Sequence, residues 1–389
     1  METVDLLVIG GGPAGYAGAL RGAQRGLKTV LVEARDLGGT CLNRGCIPTK
    51  ALFKTQEVAH LVRQAGEFGV LGEYRGLDWE KILERKKKIV RQLTGGVRFL
   101  LERAKVEIVQ GFATFSGERV VEVRRDGKVI REFQPRFVLL ASGSRSASLP
   151  VPGSDLPGVI DSEKALDLPE LPKSIVVIGG GVIGMEMACI FQGFGVEVEV
   201  IEMMPKILPP VDREVTDLLT RLVERRGMKI HVNAKVEEIR KKNGKLEAAY
   251  VENGANRVAS GEYVLVAVGR TPATENLGLE EIGVEMNGKA VVTDATLRTS
   301  LPWMYAPGDV NGKYLLAHVA YKEAEVAVRN ICGEKVTMDY RVVPNCIFSF
   351  PEIASVGLTE DEAKAQGYEV RCGRFPFRAN GKALIEGEI

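Results

Sequence analysis

Long apolar runs are missing from this 389-residue sequence, and so is any excess of charge: 52 Lys and Arg stand against 51 Asp and Glu. No stretch approaches the ~20 apolar residues needed to cross a bilayer, so no membrane partner is expected. The balanced charge removes the electrostatic reason for binding nucleic acid. The opening Thr3-Val4-Asp5 and short apolar run lack the basic region, long apolar region and cleavage site of a secretory signal, and a cytoplasmic protein is expected. Cysteine is sparse, at 41, 46, 189, 332, 346 and 372, and only the first two lie close together, which excludes a disulfide scaffold. No second Cys or His pair would complete a metal site around them, so a catalytic pair is the stronger reading and no metal is expected. Histidine is scarcer still, with three residues. The basic run Arg85-Lys86-Lys87-Lys88 reads as a solvated helix face.

What is present is a repeat. Val4–Ile9 is an apolar strand, followed by the turn Gly10-Gly11-Gly12-Pro13-Ala14-Gly15, a helix to about Arg25 and a second strand ending at Glu33. Ser174–Ile178, the turn Gly179-Gly180-Gly181-Val182-Ile183-Gly184, a helix to about Phe194 and a strand ending at Glu202 repeat the unit. Each copy is a dinucleotide-binding fingerprint in its proper strand, turn and helix context. Gly10 and Gly179 permit the tight turn, Gly12 and Gly181 let backbone approach a pyrophosphate at the helix N-terminus, and Gly15 and Gly184 allow close packing. Glu33 and Glu202 are placed to accept hydrogen bonds from a ribose diol. A carboxylate at 202 with no arginine in Met203-Met204-Pro205 favours NAD over NADP.

A long helix is expected over 77–105 and strands over 106–140, with Asp126-Gly127 as a hairpin turn. Val138–Leu140 runs into the turn Ala141-Ser142-Gly143-Ser144, and Val264–Val268 into Gly269-Arg270 as its echo; Ser142, Gly143, Gly269 and Arg270 are cofactor-binding candidates. A Pro-rich linker at 149–153 separates the halves. The expected fold is α/β, with two Rossmann-like dinucleotide-binding domains: 1–150 together with 269–340, and 151–268.

Cys41 falls eight residues after Glu33, in the segment Gly38-Gly39-Thr40-Cys41-Leu42-Asn43-Arg44-Gly45-Cys46-Ile47-Pro48-Thr49-Lys50. A helix starting near Cys46, with Pro48 in its first turn, would lower the thiolate pKa at its positive end, and Lys50 falls one turn on, on the same face. Cys189 sits in an apolar helix and reads as core; Cys332, Cys346 and Cys372 carry no motif. His60 and His231 read as ordinary surface or core residues.

These residues resemble the class I pyridine nucleotide-disulfide oxidoreductases, through the 38–50 segment, Ala306-Pro307-Gly308-Asp309, Leu316-Ala317-His318-Val319-Ala320 and Phe350–Gly357. The residues between the cysteines look like the lipoamide-using type. The resemblance implies FAD on the 10–15 loop, Gly39, Thr40 and Glu33, with Asp309 at the flavin's ribityl chain and His318 beside the flavin. It implies NAD on the 179–184 loop and Glu202. Cys41 would exchange with a dithiol, Cys46 would contact the flavin, and Glu186 would pair with Lys50 where the nicotinamide stacks. The implied partners are a lipoyl-carrying protein of a 2-oxo acid dehydrogenase or glycine cleavage system, and a second copy in a homodimer.

Two departures stand out. Pro307 replaces a small or aliphatic residue, and the third domain, from about 341 to 389, is expected to be a truncated α+β interface domain ending inside a strand pair at Gly387-Glu388-Ile389. No histidine follows His318, so the family's His-Glu acid/base pair is absent from these residues. The competing expectations are a related reductase of another disulfide or of a quinone, and a non-catalytic nucleotide-binding redox scaffold.

Overall fold

A computed structural model describes residues 1–387. Its first strand, β1 (Glu2–Ile9), is buried on both faces from Leu6 onward, as the centre of a parallel sheet requires. The chain turns at Gly10 into α1 (Pro13–Gln24), where proline occupies a first-turn position that needs no N–H. It returns as β2 (Thr29–Glu33), parallel to β1. The short α2 (Gly39–Arg44) and α3 (Cys46–Gln64) follow, broken only at Gly45. Then comes α4 (Trp79–Arg103), capped by the Asp78 side chain accepting from the Lys81 N–H.

After β3 (Glu107–Gln110) the chain forms an antiparallel meander of β4 (Phe112–Gly117), β5 (Val120–Arg125) and β6 (Lys128–Leu140). Asp126 and Gly127 both have positive φ, 50° and 75°, the signature of the hairpin turn expected there. The length of β6 lets it serve two purposes: it pairs antiparallel with β5 and parallel with β1. The sheet order is β3-β2-β1-β6-β5-β4.

The chain leaves through β7 (Ser144–Ser146), β8 (Val159–Ile160) and α5 (Ser162–Ala165), and the second repeat begins. β9 (Ser174–Ile178), α6 (Val182–Gly193), β10 (Glu197–Ile201), α7 (Arg213–Arg225) and β11 (Lys229–His231) are followed by the meander β12 (Ala234–Lys242), β13 (Lys245–Glu252), β14 (Ala255–Gly261) and by β15 (Tyr263–Val266). The parallel sheet runs β11-β10-β9-β15-β8. β16 (Arg270–Pro272) then pairs antiparallel with β7, closing the crossing point where the chain left. A hairpin of β17 (Met286–Asn287) and β18 (Ala290–Val291) precedes β19 (Met304–Tyr305), which joins the first sheet beside β6. α8 (Ala317–Ile331) packs on α1. The last described elements are the β20 (Pro344–Ile347) and β21 (Ile353–Val356) hairpin, α9 (Glu360–Ala365) and α10 (Gly381–Glu386). No helix among the described residues is long and apolar enough to cross a membrane.

Two expectations fail here. The basic run is not a wholly solvated face: Lys86 is buried, donates to Asp167 Oδ1 at 2.6 Å and bonds the Leu166 carbonyl. Helical periodicity places it one turn beyond Ile82 and Leu83, on the stripe that faces the core. Gly387 does not lie inside a strand pair but terminates α10 with φ 73°; Glu388 and Ile389 lie outside the described residues.

Candidate functional site

The two glycine turns are alike down to their hydrogen bonds. Glu33 accepts from the Gly11 N–H at 2.6 Å and the Arg35 N–H at 2.6 Å. Glu202 accepts from the Gly180 N–H at 2.5 Å and the Met204 N–H at 2.7 Å. Each carboxylate therefore braces its own turn, and its remaining lone pairs stay available for a ribose hydroxyl. Gly10 and Gly179 have φ of +100° and +106°, which only glycine adopts without strain. A Cβ on Gly15 would sit 1.8 Å from the Gly10 carbonyl oxygen, and one on Gly184 1.9 Å from that of Gly179. Gly181 is different: a Cβ there would meet nothing within 4 Å. That open side, at the N-terminus of α6, suits a pyrophosphate; at the N-terminus of α1 a Cβ on Gly12 would meet the Gly39 Cα at 3.8 Å, and neither helix has an acidic residue in its first turn.

The first turn gathers most of its predicted neighbours. Gly39 is so close that a Cβ would lie 2.5 Å from the Gly12 Cα, and one on Gly308 would lie 3.1 Å from the Ala14 Cβ. Pro13 opens α1, Thr40 follows Gly39 in α2, Gly143 follows Ser142, and Leu316 and Ala317 stand at the start of α8, which packs on α1. Ser142 packs against Gly10, and its Oγ is buried without a hydrogen-bond partner among the described residues, an orphan that a bound ligand would satisfy. Asp309 accepts from the Ser144 hydroxyl at 2.5 Å, and Ser144 in turn accepts from Arg270 Nε at 2.7 Å. Burial pushes the Asp309 carboxyl up, opposed by the Ser144 bond and Arg270. His318 is turned to the Pro344 carbonyl, 2.9 Å from its Nε2. Val182 and Ile183 open α6 at the second turn, whereas Gly269 precedes Arg270 and its carbonyl accepts from the Ala147 N–H beside β7.

Between the turns lie the sulfurs. Cys41 is in α2, and Cys46 is the first residue of α3, where the helix dipole favours a thiolate. The Cys46 thiol is pulled down to about 7, chiefly by the hydrogen bond from Cys41 and, against burial, by the Lys50 ammonium. Cys41 is pushed up by donating that bond and by burial. One proton is thus held on Cys41 and a thiolate is favoured on Cys46. Lys50 Nζ reaches both oxygens of Glu186, at 3.0 and 2.9 Å, and Glu186 is buried in α6 of the second repeat. Glu186 also accepts from the Phe348 N–H at 3.0 Å, while Lys50 lies over the Phe348 ring, 4.4 Å from its centroid. The first turn, the sulfurs and the second repeat are therefore physically connected.

Some polar residues here belong to no sequence motif. Glu323, wholly buried in α8, accepts from the Gly308 N–H at 2.5 Å, Asn311 Nδ2 at 2.9 Å and the Tyr340 hydroxyl at 2.5 Å. Tyr16 and Tyr321 hydrogen bond to each other between α1 and α8. A carboxylate on an otherwise apolar helical stripe was the available clue for Glu323. Of the other cysteines, Cys189 is buried, and burial pushes it up to about 11; Cys332, Cys346 and Cys372 are exposed. His60 lies against Phe350, and His231 bridges Glu199 and Glu252.

Two nucleotide-type sheets with a thiol pair poised between their turns define a two-nucleotide thiol–disulfide oxidoreductase. The comparisons agree. The family described as pyridine nucleotide-disulphide oxidoreductase matches residues 4–324, and the dimerisation domain of that family matches residues 343–388. The chain belongs to this family, whose enzymes use FAD and NAD. It is 43% identical to a dihydrolipoyl dehydrogenase of Thermus scotoductus, over 100% of this chain and 83% of that one. A dihydrolipoyl dehydrogenase of Bacillus subtilis is 40% identical, over 99% of this chain and 83% of its own. Among solved structures, the HOCl-induced flavoprotein disulfide reductase RclA from Escherichia coli superimposes with a TM-score of 0.87 at 29% identity, covering 99% of this chain and 84% of that one.

Proposed function

We propose that this chain is a dihydrolipoyl dehydrogenase: it oxidises a dihydrolipoyl dithiol and delivers the two electrons to NAD. The observation that carries this reading is the Cys41/Cys46 pair at the start of α3, with Lys50 one turn on and tied to Glu186 of the second repeat. FAD supplies the two-electron relay between sulfur and nicotinamide. The first turn, Glu33, Ser142 and Asp309 hold the flavin nucleotide; the second turn and Glu202 hold NAD. The corresponding domains are 1–150 with 269–340 for the first, and 151–268 for the second.

In the thiol half of the reaction Cys41 is the exchanging sulfur. A substrate thiolate bonds to the Cys41 sulfur as the Cys41–Cys46 bond breaks, and Cys46 leaves as a thiolate, favoured by the Lys50 ammonium; the hydrogen bond from Cys41 is added once that sulfur is released as a thiol. The second substrate thiol then displaces Cys41. Lys50, fixed by Glu186, holds positive charge beside the leaving thiolate. The dithiol is carried on a lipoyl protein of a 2-oxo acid dehydrogenase or glycine cleavage system in the cytoplasm, and residues 341–389 contribute to a homodimer.

The test is a visible-light titration of the purified flavoprotein, first with NADH and then with lipoamide. Two-electron reduction should produce a long-wavelength thiolate-to-flavin absorption that lipoamide discharges. Flavin reduction without that absorption would show that Cys46 does not face the flavin and would overturn the reading.

A further inference from the structure

We propose that Phe348 is a positioning residue of the redox centre: from the third domain, its ring and its backbone N–H together fix the Lys50–Glu186 pair. The proposal rests on the function assigned above and adds to that reaction a residue outside both nucleotide units.

Phe348 directly follows β20, in the segment that leads to β21. Three contacts hold it against the ion pair. Its N–H donates to Glu186 Oε1 at 3.0 Å, the same oxygen that Lys50 Nζ reaches at 3.0 Å. Its ring faces the Lys50 ammonium, with Nζ 4.4 Å from the centroid. The ring also meets Phe53 of α3 edge to face, with centroids 5.7 Å apart and planes inclined at 79°. One residue therefore touches both members of the pair and the helix that carries Lys50, with Cys46 one turn earlier.

The segment around Phe348 has anchors of its own. Ile347 is buried in the cluster that holds Leu52 and Phe53 of α3 and Met185 and Met187 of α6. The Phe350 carbonyl accepts from Arg226 at 2.7 Å, and the Phe350 ring lies against His60 and Arg226. Phe348 thus keeps its place without help from Lys50, and can give position to it.

Lys50 needs that support. An ammonium on a flexible four-carbon stem is held loosely by one carboxylate, and the Lys50 side chain is 31% exposed. The face of an aromatic ring attracts a cation through its quadrupole, and it removes water from one side of the charge. With the ring in place, Nζ stays between Glu186 and the first turn of α3, and its field is less screened there. Without the ring, water takes that side and the ammonium follows Glu186 or solvent. The Cys46 thiol is pulled down to about 7 by the hydrogen bond from Cys41 and, against burial, by Lys50. A displaced ammonium should therefore be read out as a higher value.

The experiment titrates the long-wavelength thiolate-to-flavin absorption of the two-electron-reduced flavoprotein against pH. Four proteins are compared: wild type, Phe348→Leu, Phe348→Tyr, and a protein carrying pentafluorophenylalanine at 348, which nearly keeps the shape of the ring and reverses its quadrupole. The midpoint should rise by about half a pH unit in the Leu and fluorinated proteins, a roughly threefold loss of thiolate at fixed pH. Phe348→Tyr, which restores an attractive ring face, should titrate with the wild type. In a Lys50→Met background the Leu change should add nothing, because it acts through Lys50. Should Phe348→Leu fail to fold, the fluorinated protein decides alone. An unmoved midpoint in the fluorinated protein would show that the ring only fills space; that result, a Tyr variant that shifts as far as Leu, or an additive shift in the Lys50→Met background would each overturn the proposal. A wild-type protein that shows no such absorption on reduction would instead overturn the proposed function, before any variant is compared.

Discussion

Lys50 and Glu186 lie 136 residues apart in sequence and meet at 2.9 Å, joining the helix that begins with Cys46 to the helix that opens the second nucleotide unit. The pair sets opposing charges near one sulfur. Lys50 pulls the Cys46 thiol down and Glu186 pushes it up. Removing either partner should therefore move the same pKa in opposite directions.

Lys50→Met should raise the Cys46 pKa above its value of about 7, and Glu186→Gln should lower it. The measurement is a pH titration of the long-wavelength thiolate-to-flavin absorption in the two-electron-reduced protein. Movement of both variants in the same direction would contradict the geometry.

The reduced wild-type protein should lose that absorption on acidification through about pH 7, because below its pKa Cys46 is protonated. The first cause of the low value is the hydrogen bond from Cys41, so Cys41→Ala should shift the midpoint upward and leave less thiolate at neutral pH. The same titration checks it. An unmoved midpoint would mean that Lys50 and the helix dipole alone hold the thiolate.

The glycines of each turn should fail differently. Ala at 15 or 184 forces a Cβ to within 1.8 or 1.9 Å of a backbone oxygen, whereas Ala at 181 meets nothing within 4 Å. Relief of such a clash costs ~1–3 kcal/mol or more. Gly15→Ala should release FAD, and Gly184→Ala should weaken NADH binding about 10-fold or more while the protein stays yellow. Gly181→Ala should keep its melting temperature and lose only nucleotide affinity, as a residue facing a ligand does. Equilibrium dialysis of NADH and thermal melts separate the cases.

How much of this was legible depends on distance along the chain. The glycine turns, Glu33, Glu202, the Cys41/Cys46 pair and the start of α3 are local patterns, and each lies where the sequence placed it. The resemblance to a known family supplied Lys50 with Glu186, which spacing alone does not pair. The Ser144, Arg270 and Asp309 chain and the tyrosine pair join segments from 126 to 305 residues apart, and no periodicity marks them, while Glu323 is marked only by its place on the apolar stripe of α8. Lys86 was misread because a run of like charges looks solvated, although a helix must turn one residue in three or four inward. The brace that Glu33 and Glu202 each form on their own turn was also hidden, since the fingerprint describes what those carboxylates offer a ligand and not what holds them in place.

Glu323 supplies the last prediction, because its carboxylate is wholly buried and satisfies three donors, among them the Gly308 N–H next to Asp309. Burial pushes its pKa up, outweighing those bonds. A carboxyl with a raised folded pKa favours folding in its protonated form, so its contribution is fully present below the unfolded value of 4.5 and declines as pH rises through the folded one. Glu323→Gln keeps an acceptor for Gly308 and Asn311, and its amide can donate to a reoriented Tyr340 hydroxyl; at neutral pH it should cost little. Glu323→Ala strands all three donors at ~1–3 kcal/mol apiece, and it should loosen the Asp309 turn so that FAD dissociates faster. Denaturant melts at pH 5 and pH 7, with flavin fluorescence to follow release, would test this. Equal losses in the Gln and Ala variants would show that charge, rather than hydrogen bonding, is what Glu323 contributes.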